Sequence, residues 1–170
     1  MARLPGPKLI EVVEAIYSNI ELDHPGRWLA RVLPHVSACV GWERGGYAHA
    51  YDLRGAPERW GLSMPVAHDL PPEVASTVMS CFAVSPHEER RHLYLDAGPA
   101  GTFSEHAGTT FDGMAGEAGA SERIGVRDCA YVNATNPDGD GVIFCITRDK
   151  PGKLEPRTRS QLSMIAAHVA

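Results

Sequence analysis

Residues 126–148, VRDCAYVNATNPDGDGVIFCITR, constrain the fold more than any other stretch. Two apolar runs of strand length stand on either side of Asn-Pro-Asp-Gly-Asp-Gly. The runs are rich in β-branched and aromatic residues, and the link between them holds a proline that presets φ and glycines that tolerate positive φ. That pattern predicts an antiparallel hairpin at the heart of a sheet. The link also invites a second reading, because Asn136, Asp138 and Asp140 fall at the first, third and fifth positions of a calcium-binding loop, with Gly141 at the sixth. Such a loop needs a bidentate acid at its twelfth position and helices on both sides. The twelfth residue is Thr147 and the second half of the loop is strand-like, so the hairpin is preferred and no metal is expected there.

A second period-2 stretch, GYAHAYDL, puts Tyr47, His49, Tyr51 and Leu53 on one side and Ala48, Ala50 and Asp52 on the other. The RGAP step reads as a turn and ERWGLSM as the returning strand. Helical spacing brackets these strands. Leu9, Val12, Val13, Ile16, Tyr17 and Ile20 share one face of a helix over 8–22. Leu29, Val32, Leu33 and Val36 continue the period after Pro25, and Pro34 predicts a short or kinked second helix. Val74, Val78 and Phe82 mark a further helix over 70–82, and RHLYLDAG reads as a short strand. Residues 98–120 are rich in Gly, Ala and Ser without a sustained period, which predicts loop with a short helix. A last helix over 155–170 aligns Leu162, Ile165, Ala166 and Val169.

The expected fold class is therefore α+β, a central antiparallel sheet of about five or six strands with helices at both ends of the chain. With 170 residues the chain is long enough for one domain with a substantial core, and no second boundary is visible. The formal net charge of −5 comes without a cluster of Lys or Arg, so the chain offers no basic patch for nucleic-acid phosphates. No apolar run reaches membrane-spanning length, and the start MARLPGPKLIEVVEAI lacks a secretory signal, so a cytoplasmic location is expected. Cys39, Cys81, Cys129 and Cys145 form no CxxC pair and read as small buried hydrophobes.

Motifs for catalysis are few. The histidines of HEERRH, His87 and His92, stand five apart and so lie about 140° from one another on a helix, too far round to share one zinc ion as HExxH does. No GxSxG elbow, phosphate-binding loop or dinucleotide fingerprint is present. No catalytic or metal-ligating residue is assigned, and no cofactor is identified. The one face with functional character is that of Tyr47, His49 and Tyr51, facing Tyr131 across the sheet and accompanied by Trp60 and Phe144. Such residues need polar partners when buried, and together they suit a semi-polar cavity for a small ligand. The competing reading is a mixed core whose polar tips reach solvent.

The order of elements follows the plan of GAF and PAS sensor modules. The stretch VRDCAYVNATNPDGDGVIFCITRDKPGKLEPRTRSQLSMIAAHVA, over residues 126–170, resembles the end of the amino-terminal sensor region of LuxR-type helix-turn-helix transcriptional regulators. CVGWERGGYAHAYDL agrees more loosely with the first hairpin of that family. The resemblance implies a single GAF-like regulatory input domain over 1–170, dimeric through its terminal helices, whose contact with DNA runs through a helix-turn-helix domain outside this chain. The chain reads either as an excised sensor domain, which is preferred, or as a natural stand-alone module that pairs through its last helix, with Leu162, Ile165, Ala166 and Val169 as the pairing stripe. Two other functions remain open at this point: a small metal-dependent enzyme using His87 and His92, and a purely structural dimerisation module with a filled core.

Overall fold

The computed structural model describes residues 7–18, 24–40, 45–74, 77, 80, 88, 91–106, 122 and 125–170. Two amphipathic helices, α1 (Pro7–Ser18) and α2 (Pro25–Val40), precede strand β1 (Gly46–Asp52). A single turn of 3₁₀ helix at Pro57–Arg59 leads to β2 (Gly61–Leu62) and β3 (Val66–His68). A π-helical turn over His92–Asp96 is followed by β4 (Ala100–Thr102) and α3 (Phe103–His106). Strands β5 (Asp128–Thr135) and β6 (Asp140–Arg148) form the long hairpin, and α4 (Pro156–Val169) ends the chain.

The six strands form one antiparallel sheet in the order β2-β1-β6-β5-β4, with β3 also paired to β1. The class expected from the sequence, α+β with flanking helices, is the class observed. Asn136–Gly139 make the hairpin turn: Gly139 adopts φ +98°, its N–H donates to the Asn136 carbonyl at 3.0 Å, and the Asn136 N–H donates to the Asp140 carbonyl at 2.8 Å. The calcium-like spacing serves this turn.

Alternation divides the sheet into two chemically different faces. One carries Ala48, Ala130, Val132, Ala134, Phe144 and Ile146, and buries them under α1, α2 and α4. Its alanines leave room for helices to approach, and Leu9, Val12, Leu29, Leu33, Leu162 and Ile165 fill the layer between. The opposite face carries Tyr47, His49, Tyr51, Cys129, Tyr131, Asn133, Ile143 and Cys145, closed by Leu93, Tyr94, Phe103 and Val74.

Several expectations need correction. The second helix is not short: it runs through Pro34 to Val40, because Leu33, Val36 and Val40 are buried in the helical layer and that packing outweighs one lost main-chain bond. The returning strand after β1 is split, since Pro65 cannot donate to a ladder. Ser63 bridges the break instead, its N–H donating to the Ala50 carbonyl and its hydroxyl accepting from the Ala50 N–H, both at 2.9 Å. RHLYLDAG is instead a π-helical turn over His92–Asp96, with Leu93 and Tyr94 buried against the sheet. Strand β4 lies in the stretch expected to be loop. Of the expected helix over 70–82, the described residues 72–74, 77 and 80 are helical, and residues 75–76, 78–79 and 81–82, like 19–23 and 107–121, fall outside those described.

Candidate ligand-binding face

Register places the side chains of the non-helical face in rows across the strands. Tyr47 stands opposite Cys145, which stands opposite Tyr131, which stands opposite Gly101. His49, Ile143 and Asn133 form the next row, and Tyr51, Gly141 and Thr135 the third. The two glycines are required by their neighbours. A Cβ on Gly101 would lie 2.6 Å from the Tyr131 hydroxyl oxygen, and one on Gly141 would lie 2.6 Å from the Tyr51 hydroxyl oxygen and collide with the Ala134 carbonyl. Each phenol thus lies flat across a backbone position without a side chain.

The π-helical turn closes this face from above. The Tyr94 hydroxyl meets Nε2 of His49 at 2.9 Å, and its ring packs edge-on to His49 and 4.5 Å from the ring of Tyr51. Tyr47 stacks parallel to His49, with centroids 6.2 Å apart. The Tyr94 carbonyl accepts from the Asn133 amide at 2.8 Å and from the Thr135 hydroxyl at 3.0 Å. The Tyr51 hydroxyl donates to Oδ1 of Asn133 at 2.8 Å and lies 2.5 Å from the Thr135 hydroxyl. At the other end of the face, Phe103 stacks on Tyr131 at 5.9 Å, and His106 stands edge-on to the same ring.

Burial sets the charge state. It lowers His49 to about 4, so the imidazole is neutral near pH 7. It raises Tyr51 and Tyr131 to about 12 and Tyr47 well above its ordinary value. Burial likewise pushes Cys145 up to about 12 and Cys129 well above the ordinary thiol range, so neither is a nucleophile at neutral pH. Among the described residues of this face none carries a full charge. It is an environment of neutral donors and acceptors framed by aromatic rings.

Four of the six residues expected to line a ligand site, Tyr47, His49, Tyr51 and Tyr131, share this face. Trp60 is half-buried at its edge, with Nε1 donating to the Gly55 carbonyl at 3.3 Å. Phe144 does not belong with them. It stands opposite Ala48 and Val132, and so points into the helical layer, where its ring meets Trp28 at 6.3 Å. Tyr94, Phe103 and Thr135 also line this face; Thr135 continues the alternation of Tyr131 and Asn133, whereas no periodicity points to Tyr94 or Phe103.

The expected pairing stripe is also corrected. Leu162, Ile165 and Ala166 are buried within the chain's own core and Val169 packs against it, so the stripe has its partner in α1, α2 and the sheet. What α4 and α1 leave exposed is a different strip: Ile10, Tyr17 and Met164, joined where the Tyr17 hydroxyl meets Nδ1 of His168 at 3.1 Å. Of the two histidines weighed for a metal, His87 lies outside the described residues. His92 stacks on His106 at 4.2 Å and faces Asp96. No group of three or more metal-ligating side chains gathers among the described residues.

No protein-family model matches the sequence, and no curated protein matches it. The fold is similar to the crystal structure of CepR2 from Burkholderia cenocepacia, an N-acylhomoserine lactone dependent LuxR-family transcription factor. The similarity covers 95% of this chain and 91% of that one, with a TM-score of 0.50 and 12% sequence identity. At that identity the likeness is one of fold. No described helix is long and apolar enough to cross a membrane.

Proposed function

We propose that this chain is the ligand-sensing domain of a LuxR-type transcriptional regulator, and that it takes a small uncharged ligand against the Tyr47/His49/Tyr51/Tyr131 face. The observation that carries this reading is the contrast between the two sides of the sheet. The helical side is an aliphatic core. The other side buries phenols, an imidazole, an amide and hydroxyls, at a cost in desolvation that a structural core gains little by meeting. The fold shared with an N-acylhomoserine lactone dependent regulator supports the same assignment. An uncharged ligand follows from the surroundings, since a buried charge would find no full counter-charge among the described residues of this face. The chain performs no reaction in this reading. It acts by population shift, the ligand favouring one arrangement of the domain over another.

The signal would reach DNA through a dimer and an attached helix-turn-helix domain. The surface for pairing is the exposed strip of Ile10, Tyr17 and Met164 on α1 and α4. The protein would work in the cytoplasm.

Thermal melting with short- and long-chain N-acyl homoserine lactones tests the ligand class. Saturation at about 100 Kd adds roughly 2.7 kcal/mol of stability, and in a domain of this size that raises the midpoint by about 5–10 °C. The rise should vanish in Tyr47→Ala. No shift with any of them, in a protein that melts cooperatively, removes that class of ligand. One observation favours a filled structural core instead: Tyr51, Asn133, Thr135 and the Tyr94 carbonyl satisfy one another. On that reading no small molecule moves the midpoint.

A further inference from the structure

Consecutive residues of the short segment from β4 to α3 are anchored in two different places. Phe103 is buried in the aromatic face against Tyr131, and Gly101 lies under the Tyr131 phenol. The next two residues hold the connection into the terminal helix and its first turn, Ser104 at Gly152 and Glu105 at Leu154 and Arg159. The Ser104 hydroxyl donates to Asp128 at 2.7 Å and accepts from the Gly152 N–H at 3.3 Å, while Asp128 itself, almost fully buried, also accepts from the Gly152 N–H at 3.2 Å. The Glu105 carboxylate accepts from Nη2 of Arg159 at 2.6 Å and from the Leu154 N–H at 3.3 Å. Arg159, on the first turn of α4, also donates to the Ala100 carbonyl at 3.2 Å.

We infer that residues 100–106 form a mechanical bridge that carries displacements of the aromatic face to the first turn of α4. Phe103 is the sensing end, and Glu105 with Arg159 the transmitting end. Charge-assisted bonds to a partly buried carboxylate, beside a buried Asp128 hub, make that end stiff. The face and the helix therefore cannot move independently through this segment. The inference gains its meaning from the reading of the face as a ligand site. Its test uses no ligand, so its failure leaves that reading standing, and a protein without a ligand leaves the coupling intact.

Spatial adjacency alone does not establish coupling, so a double-variant comparison is needed. Amide exchange is read for residues 159–163 of α4 relative to the amides of Val32, Leu33 and Val36 on α2. Phe103→Leu is expected to raise that ratio at least about fivefold, and to add nothing in a Glu105→Gln background. Ile143→Val, a similar loss on the same face from a different strand, should leave the ratio unchanged. An unchanged ratio in Phe103→Leu, or an equal rise in the Glu105→Gln background, overturns the inference. If Phe103→Leu does not fold, Arg159→Lys reports from the other end, because coupling is reciprocal. The amides of 129–133 must then exchange faster relative to α2, and no change there overturns the inference equally.

Discussion

The side-chain amide of Asn133 donates to the main-chain carbonyl of Tyr94 at 2.8 Å, across 39 residues of sequence. This bond and its neighbours pin the π-helical turn onto the sheet. Asn133→Ala removes a buried donor and one of the acceptors of the Tyr51 hydroxyl. The expected loss is about 1–3 kcal/mol, read as a lower urea midpoint at unchanged slope. A midpoint equal to that of the parent protein would mean the turn is held by packing alone.

His49 gives the fold an acid sensitivity. Its folded pKa of about 4 lies below the ordinary value of 6.5, so between those two the unfolded chain binds the extra proton. Stability from the neutral imidazole is therefore complete above about pH 6.5 and is lost as pH falls towards 4. At 1.36 kcal/mol for each unit the loss amounts to roughly 3 kcal/mol. His49→Gln should flatten the change in urea midpoint between pH 7 and pH 5. A variant with the parent's full acid slope would place the sensitivity in other groups.

Helix α4 separates folding from pairing. Leu162→Glu or Ile165→Glu puts a carboxylate into the aliphatic core and should cost about 4 kcal/mol or more, so that helical circular dichroism and the cooperative melt are lost. Met164→Glu and Tyr17→Glu change exposed positions and should leave the melt within a few degrees while weakening self-association in analytical ultracentrifugation. A dimer of unchanged affinity in both would remove the α1–α4 strip as the pairing surface.

The glycines under the two phenols should respond differently to alanine. At Gly101 the nearest obstruction is the Tyr131 side chain, so Gly101→Ala is expected to cost about 1–3 kcal/mol, and Tyr131→Phe should restore part of it. At Gly141 the Ala134 carbonyl also blocks the Cβ, so Tyr51→Phe should restore nothing. Equal rescue at both sites, measured by thermal midpoint, would contradict this geometry.

Elements with a strong period were legible in the sequence. The alternation of Tyr47, His49 and Tyr51 against Ala48 and Ala50, the turn chemistry of 136–141, and the apolar stripes of α1 and α4 all correspond to observed elements. The misplacements have physical causes. On β6 both faces are apolar, Val142, Phe144 and Ile146 on one and Ile143 and Cys145 on the other, so only pairing with β1 reveals that Phe144 faces the helices. The α4 stripe is apolar, as its spacing predicts, but its partner is non-local, and a stripe by itself does not say whether it meets the same chain or another. Strand β4 carries Gly101 because a phenol occupies the space above it, which erases the side-chain period that announces a strand. Tyr94 and Phe103 reach the site through segments whose positions are fixed by tertiary packing.

The central claim is that the aromatic face binds a small uncharged molecule, and native mass spectrometry of freshly purified protein, without chelator or added ligand, tests it most directly. The account predicts a discrete extra mass on the polypeptide, absent or strongly reduced in Tyr47→Ala and His49→Gln. Bare polypeptide mass in the parent protein, together with a thermal midpoint that no small molecule moves, would contradict it and assign the face to the structural core.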